Sequence, residues 1–402
     1  MRHLTFGMLV ATAVLAAGTP AAAIAVKPLA DARLRYEHAS QDGLANDADA
    51  LTIRARAGLA AQEGPFTALV EAQGMFAVVG DYDDGLSGAA TRPLVADPEN
   101  VALSRAQLQY KAKGVTLTAG RQRILLDDER FVGGVGFRQN GQSFDAVRAE
   151  LTPMKGVKLD AAYVWRVQTI WGIEGNGARP RSIPGDTILA GLSCVTPFGT
   201  LSGFGYFLDM DMAALQSFRL SSKTFGARLA GGAPVGKARL GWQLNHARQQ
   251  DHGRNPNDYQ ASYWLADLSL DLNGPKLGVG YEVLGADDGR ALTSFQMPLG
   301  TNFKFQGWAD KFLTTPPDGV RDLYASAGWG WKRIGKARAV QVQAVYHRFD
   351  ADRNSRRYGD EWNLLASARL GRTTASARFA DYRASSFATD TQKFWLQLDW
   401  TL

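Results

Sequence analysis

Along most of this chain, apolar and polar residues alternate with a period of two. Leu51, Ile53, Ala55, Ala57 and Leu59 fall on one face, with Thr52, Arg54 and Arg56 on the other. Val157, Leu159, Ala161, Tyr163, Trp165 and Val167 oppose Lys158, Asp160, Arg166 and Gln168. Leu323, Ala325, Ala327, Trp329 and Trp331 oppose Tyr324, Ser326, Gly328 and Gly330, and Phe394, Leu396, Leu398, Trp400 and Leu402 oppose Lys393, Gln397, Asp399 and Thr401. Such alternation predicts strands with one apolar and one wet face. The segments run 9–13 residues. That exceeds the roughly 5–6 of soluble strands and matches the roughly 9–11 that a tilted strand needs to cross a bilayer.

The connections alternate in length. Residues 62–65, 112–114, 152–156, 197–199, 273–275, 332–336 and 371–373 are short, whereas 78–100, 124–142, 171–186, 211–222, 250–258 and 350–358 are long. Short turns at one rim and long loops at the other predict an all-β fold, a transmembrane antiparallel up-and-down barrel with periplasmic turns and extracellular loops. Trp165, Trp171, Trp264, Trp329, Trp331 and Trp400 lie at strand ends, as interfacial girdles require. Thirteen strands are expected before residue 286 and five after residue 320, eighteen in all, with 286–320 as one long loop. Sixteen and twenty are the alternatives; twenty needs a hairpin of 291–299 with 302–312, where Pro298 cannot donate to a ladder.

The first residues break the pattern. Met1-Arg2-His3 is a basic start, Leu4 to Gly18 is apolar, and Ala21, Ala23 and Ala25 offer an A-x-A cleavage site. Residues 1–25 read as a secretory signal peptide and 26–402 as a single barrel domain. No other run is long and apolar enough for a membrane helix. The lone Cys194 excludes an internal disulfide and a multi-cysteine metal site. The net charge of +6, from 45 Lys and Arg against 39 Asp and Glu, is spread without basic blocks, so no nucleic-acid partner is expected.

Alternation also assigns the charged residues. A charge facing lipid costs about 2–4 kcal/mol at the midplane, so the polar phase must face the lumen. Arg33, Arg35, Arg54, Arg56, Arg105, Lys111, Arg166, Arg228, Arg239 and Arg369 are then expected to point inward, together with Asp31, Glu37, Glu71, Asp160, Asp267, Asp271, Glu282 and Glu361. Arg121 and Arg123 are expected to share one face, with Arg148 across the following loop. Residues 305–312 are the leading candidate for an inward-folded loop, with Trp308 available to stack on a sugar ring and Asp310 and Lys311 as a local ion pair. Residues 124–142 are the second, bringing Arg130 and Arg138 to the lumen around Gly133-Gly134. Guanidinium groups grip carboxylates with two hydrogen bonds, and rings of them in a pore select anions. Each is weighed against simple pairing with a neighbouring acid.

Three stretches resemble the alginate-export family of outer-membrane porins. The first runs Gly120-Arg121-Gln122-Arg123, Asp127-Asp128-Glu129-Arg130-Phe131-Val132-Gly133, Phe137-Arg138-Gln139-Asn140 and Ser143-Phe144-Asp145-Ala146-Val147-Arg148. The second runs Phe305-Gln306-Gly307-Trp308-Ala309-Asp310-Lys311-Phe312, Thr315-Pro316 and Asp318-Gly319-Val320-Arg321-Asp322. The third runs Tyr346-His347-Arg348-Phe349-Asp350, Tyr358-Gly359-Asp360-Glu361, Ala380-Asp381-Tyr382 and Phe394-Trp395-Leu396. The resemblance implies an eighteen-stranded barrel whose arginine-rich lumen passes a polyanionic sugar chain.

The expectation is therefore a passive, monomeric channel for anionic saccharides in the outer membrane of a Gram-negative bacterium. It would contact membrane lipid and lipopolysaccharide, be inserted by the barrel-assembly machinery and need no cofactor. Uptake of small anionic sugars or organic acids is the alternative within the class; a barrel hydrolase or an adhesin is the alternative outside it. No catalytic or metal residue is assigned. His347 beside Asp350 is the one His–Asp neighbourhood, and Asp127-Asp128-Glu129 and Asp81, Asp83 and Asp84 are the acidic loops that a calcium ion would use.

Overall fold

The computed structural model describes residues 24–88 and 90–402, so the proposed signal peptide, apart from Ile24 and Ala25, lies outside the described residues. The described residues form eighteen strands. In chain order they are β1 Ala25–Gln41, β2 Ala48–Glu63, β3 Phe66–Asp81, β4 Asn100–Ala112, β5 Val115–Gln122, β6 Ser143–Met154, β7 Val157–Gln168, β8 Ser182–Thr196 and β9 Gly199–Met210. Then follow β10 Ser222–Val235, β11 Ala238–Asp251, β12 Gln260–Asp271, β13 Pro275–Leu284, β14 Val320–Ile334, β15 Ala337–Asp350, β16 Arg357–Leu370, β17 Thr373–Ala384 and β18 Thr391–Thr401.

Each strand pairs with its sequence neighbours, and β1 pairs antiparallel with both β2 and β18, so the sheet closes on itself. Closure leaves no unpaired edge, which is the condition for a sheet to stand in hydrocarbon. Connections at one rim are two or three residues long; at the other they run from six to thirty-five. Residues 285–319 add no strand: they hold an isolated bridge between Ala286 and Ser294 and a 3₁₀ turn at Asn302–Lys304. The twenty-strand alternative fails because the backbone polar groups of this segment bond inward, to the lumen wall and to a second loop.

The alternation sorts the side chains as the lipid argument requires. Leu244, Leu268, Val279, Leu323, Leu364 and Leu396 are exposed on the outer face. Aromatics ring it at two levels: Trp165, Trp264, Tyr281 and Trp362 toward the long loops, and Phe66, Phe198, Trp329, Trp331 and Trp400 toward the short turns. The packed core lies inside the barrel, where Phe144, Tyr263, Phe349 and Trp395 of the wall cluster with Phe295 and Phe303 of the infolded segment.

Two arginines depart from the expected inward phase. Arg121 pairs with Ala106 and Asp145, in phase with the outward Leu108, Leu117 and Val147, and its guanidinium bonds Asp145 at 2.7 and 3.0 Å. It therefore does not share a site with Arg123, which leaves the ladder after Gln122 and turns to Glu71. Arg166 is displaced by a bulge between Val164 and Arg166; Val164 and Val167 are both buried, so the inward phase passes to Val167. A bulge inserts one residue and flips every later side chain.

Placing a charge on the outer face at mid-strand should be costly. Val279→Arg is expected to lose about 2–4 kcal/mol in denaturant titrations of the bilayer-inserted protein, whereas Gln343→Arg on the lumen face is expected to be tolerated.

Candidate functional site

The lumen is narrowed by two loops that fold against each other. One is residues 123–142, between β5 and β6; the other is residues 285–319, between β13 and β14. They meet through backbone bonds: Gly133 N donates to the Leu299 carbonyl at 2.9 Å and Thr301 N to the Glu129 carbonyl at 2.9 Å. The Gln142 amide adds a bond to the Leu299 carbonyl at 3.0 Å, and Lys304 Nζ one to the Asp128 carbonyl at 2.8 Å. Phe137 of the first loop stacks on Phe303 of the second, ring centres 3.4 Å apart and planes within 7°. Trp395 of β18 meets Phe137 edge-on at 5.8 Å.

Buried charges fasten this pair of loops to the wall. Arg130, 1% exposed, donates through Nε to Glu282 of β13 at 2.7 Å, and Tyr263 of β12 donates to the same carboxylate at 2.7 Å. Glu361 of β16 accepts the backbone N–H groups of Trp308 at 2.5 Å and Ala309 at 2.9 Å. Asp310 binds Arg138 of the other loop and accepts from Lys393 of β18 at 3.0 Å. Burial acts to raise the Asp310 carboxyl, but Lys393 and Arg138 outweigh it and hold the group below the usual carboxylate range. Burial likewise opposes the charge on Arg138, and Asp310 and Glu37 more than offset it.

The local ion pair expected between Asp310 and Lys311 is therefore replaced. Asp310 reaches across to Arg138 and Lys393, while Lys311 donates to Gln41 at 3.1 Å. The reason is geometric: Asp310 adopts a left-handed backbone (φ 62°) within the infolded turn, and a buried carboxylate is better answered by two long-range cations than by one adjacent residue. Lys311 is left beside Lys393, and burial together with that like charge lowers its pKa to about 8.

Against the loops lies a dense basic cluster, from which Arg33 donates to the loop carbonyls of Gly136 and Phe137 at 3.1 and 2.9 Å. Arg33 binds Asp399 at 2.6 Å and Arg54 binds Asp31 at 2.7 Å. Arg105 and Arg123 share Glu71 at 2.5 and 2.6 Å. Among the described residues Arg56 bonds only the Gln73 amide oxygen, at 2.6 Å. Arg378 of β17 lies over Trp308 at 5.0 Å and Phe137 at 5.4 Å. Among the described residues neither Arg56 nor Arg378 has a carboxylate within 4 Å. Arg35 is fully buried between Asp97, Gln397 and the Phe137 ring, so it holds the loop and is closed to solutes.

The remaining candidates lie elsewhere. Arg148 is paired with Asp160 at 2.6 Å on the far wall, and Arg228 with Asp127 at 3.5 Å and Asp128 at 3.6 Å. Arg369 sits at the short-turn mouth, bonded to the Gly371 carbonyl at 3.1 Å. The partner of His347 is Asp322, at 2.9 Å, because the two are diagonal neighbours on one face of β14 and β15, Asp322 lying opposite Phe349 and His347 opposite Tyr324; Asp350 is engaged by Arg348 at 3.1 Å. His347 is buried and stacked on Phe349. Among the described residues no three acidic, histidine or cysteine side chains converge as a metal site. Asp84 instead accepts the backbone N–H groups of Leu86 and Ser87, and Asp128 that of the Gln243 amide at 2.6 Å.

Arg378, Glu282, Glu361 and Lys393 carry much of this arrangement. Arg378 escaped the sequence reading although it stands in phase with Ser376 and Ala380, against the outward Phe379. That alternation was its available signal.

A closed eighteen-stranded barrel narrowed by loops folded into its lumen is the fold of an outer-membrane porin. Residues 29–171 match the family model described as alginate export, in agreement with the resemblance seen in the sequence motifs. Among solved structures, OpdO of Pseudomonas aeruginosa superposes with a TM-score of 0.67 at 18% identity, covering 94% of this chain and 97% of that one. OccAB4 of Acinetobacter baumannii gives 0.69 at 15% identity, covering 94% and 98%; P. aeruginosa OpdK with vanillate gives 0.66 at 13%, again covering 94% and 98%. No curated protein matches the chain.

Two outcomes follow from this geometry. Glu282→Ala leaves Arg130 buried and unpaired, a change expected to cost about 3–5 kcal/mol and to show as raised open-channel noise and faster proteolysis within 123–142. Lys311 is charged at neutral pH and is discharged as pH rises through about 8. Anion preference, read from reversal potentials, is expected to fall between roughly pH 7 and 9, and Lys311→Arg is expected to abolish that fall.

Proposed function

We propose that this chain is a passive outer-membrane channel for anionic saccharides, and that its constriction works as an arginine-lined slide for carboxylates. One observation carries the reading. Six guanidinium groups, those of Arg33, Arg54, Arg56, Arg105, Arg123 and Arg378, are answered by three carboxylates, those of Asp31, Glu71 and Asp399. A lumen that needed charge only for wetting and folding would be balanced. A surplus at the narrow level raises the local anion concentration and lowers the barrier for anions. The paired arginines keep part of their donor capacity engaged, so each contact with a passing carboxylate is weak enough to release. Trp308, half-buried beside Arg378, offers a flat apolar face to a sugar ring next to a cation for its carboxylate.

A second reading within the class, passage of small ring-bearing carboxylic acids, is favoured by that same Trp308–Arg378 pair and by the vanillate named in the OpdK structure. The lumen is passive in both cases, and the solute gradient sets the direction. The hydrolase reading draws no support from His347, whose buried ring is held by Asp322 and Phe349.

Planar-bilayer recording tests the proposal. Wild-type protein is expected to give ohmic single-channel currents with anion preference. A unit charge at about 6 Å in a water-filled lumen is worth roughly 0.7 kcal/mol. Arg56→Gln and Arg378→Gln are therefore each expected to lower the anion-to-cation permeability ratio about tenfold, because the lost charge attracts the anion and repels the cation by that amount. Block by an oligo-uronate supports the saccharide reading; block by vanillate alone supports the small-acid reading. Absence of current from folded protein would sink both.

A further inference from the structure

At the short-turn mouth the register sets three arginines in a row. Arg333 of β14 stands directly opposite Arg338 of β15, and Arg338 directly opposite Arg369 of β16. Directly opposed residues hold their Cβ atoms about 4.5–5.5 Å apart, and like charges so placed destabilise a sheet. The chain adopts a strained geometry at this point. A register shift separates Arg338 from Gln341, and Ala339 within it has φ +47°, a left-handed conformation that costs a non-glycine residue energy.

The row borders a cleft of about 1060 Å³, to which Lys276, Lys332 and Lys336 add their charges. Among the described residues Asp271 is the sole acid lining the cleft, and Lys276 holds it at 3.0 Å. Arg333 and Arg369 each spend one Nε donor on a turn carbonyl, Gly335 at 2.7 Å and Gly371 at 3.1 Å. Among the described residues, their terminal guanidinium nitrogens have no protein acceptor. Lys276, Lys332 and Arg369 share strand phase with the lumen-facing Glu282, Asp322 and Glu361, whereas Arg333 shares the phase of the outward Trp329 and Trp331 and borders the cleft from the rim, at the end of its strand. The cleft therefore belongs to the aqueous mouth.

We propose that this cleft is a capture site for a chain-like polyanion carrying repeated carboxylates, separate from the constriction and reached from the short-turn side. Opposed like charges, a strained bulge and a near absence of acids weaken the empty sheet and are all relieved by an extended anion. A single small anion would leave most of the row unanswered. Arg378 of the constriction pairs with Leu365, four residues along β16 from Arg369, so the two levels lie about 13 Å apart along the strand. A short oligomer bridges that gap and passes from one site to the other. The inference rests on the anion-channel reading and adds an asymmetry to it: the short-turn rim is the periplasmic rim in barrels of this class, where a chain made inside the cell arrives.

The test is the rate at which an oligo-uronate blocks oriented single channels from each side. The variant combines Lys332→Gln, Arg333→Gln, Arg338→Gln and Arg369→Gln. Its block rate from the short-turn side is expected to fall about tenfold, the lower range for electrostatic steering. The rate from the long-loop side and the reversal potential in salt gradients are expected to stay unchanged. A charge-preserving variant, Arg333→Lys with Arg338→Lys and Arg369→Lys, is expected to retain the wild-type rate; unaltered heat-modifiable gel mobility shows that both variants fold. Equal block rates for wild type and the Gln variant overturn the capture site. So does an equal fall from both sides, which would make these residues part of a diffuse field. A loss confined to phosphatidylglycerol-dependent thermal stability, with block rates unchanged, assigns the row to lipid headgroups and also overturns it. If the wild-type channel is blocked from neither side, the anion-channel reading itself fails.

Discussion

Everything in this molecule depends on the pairing of β1 with β18. A strand in hydrocarbon cannot leave its N–H and C=O groups unbonded, and one open edge would strand a whole row of them. The continuous register from Asp31 opposite Thr401 to Gln41 opposite Thr391 closes that edge. Once the ring is closed, the period of two becomes a division of space: one phase meets lipid, and the other meets water, loops and solute. The sizes of the connections then acquire a side, and the long ones have a lumen to fall into.

The loops fill that lumen as a side chain fills a core. Aromatic packing between Phe137, Phe303 and Trp395 supplies area, and buried carboxylates on the wall supply aim. Glu282 and Glu361 sit on different strands, and each takes donors from a different loop segment. Charges committed in this way are structural. Arg35, Arg130 and Arg138 are enclosed and paired with carboxylates, whereas among the described residues Arg56 and Arg378 have none within 4 Å. The counting that separates scaffold from site is thus a counting of carboxylates.

The comparison with OpdO and OccAB4 shows how little of the chemistry the fold carries. At 15–18% identity the whole barrel superposes, because alternation and closure tolerate almost any residue of the right polarity. The fold alone does not assign a cargo, and the lumen side chains of each chain have to be read separately.

By itself the sequence determined the strand number, the run of short and long connections, and the face of most charged residues. These follow from a local rule, the two-residue period, imposed by a solvent that penalises misplaced charge. Its reading of 286–320 as a strandless loop and of 305–312 as infolded holds for the same reason: Met297-Pro298 and a glycine-containing turn resist a ladder. The tertiary structure alone decided what the local rule cannot reach. Arg121 lies in the outward phase, and Arg166 lost the inward one because phase survives only until a bulge. Asp310 turned from Lys311 to Arg138, 172 residues away in sequence, because both loops descend into the same lumen. His347 found Asp322 rather than Asp350 through strand register. Arg56 and Arg378 are distinguished from their neighbours only by lacking a carboxylate, a property of three-dimensional proximity that no stretch of sequence contains.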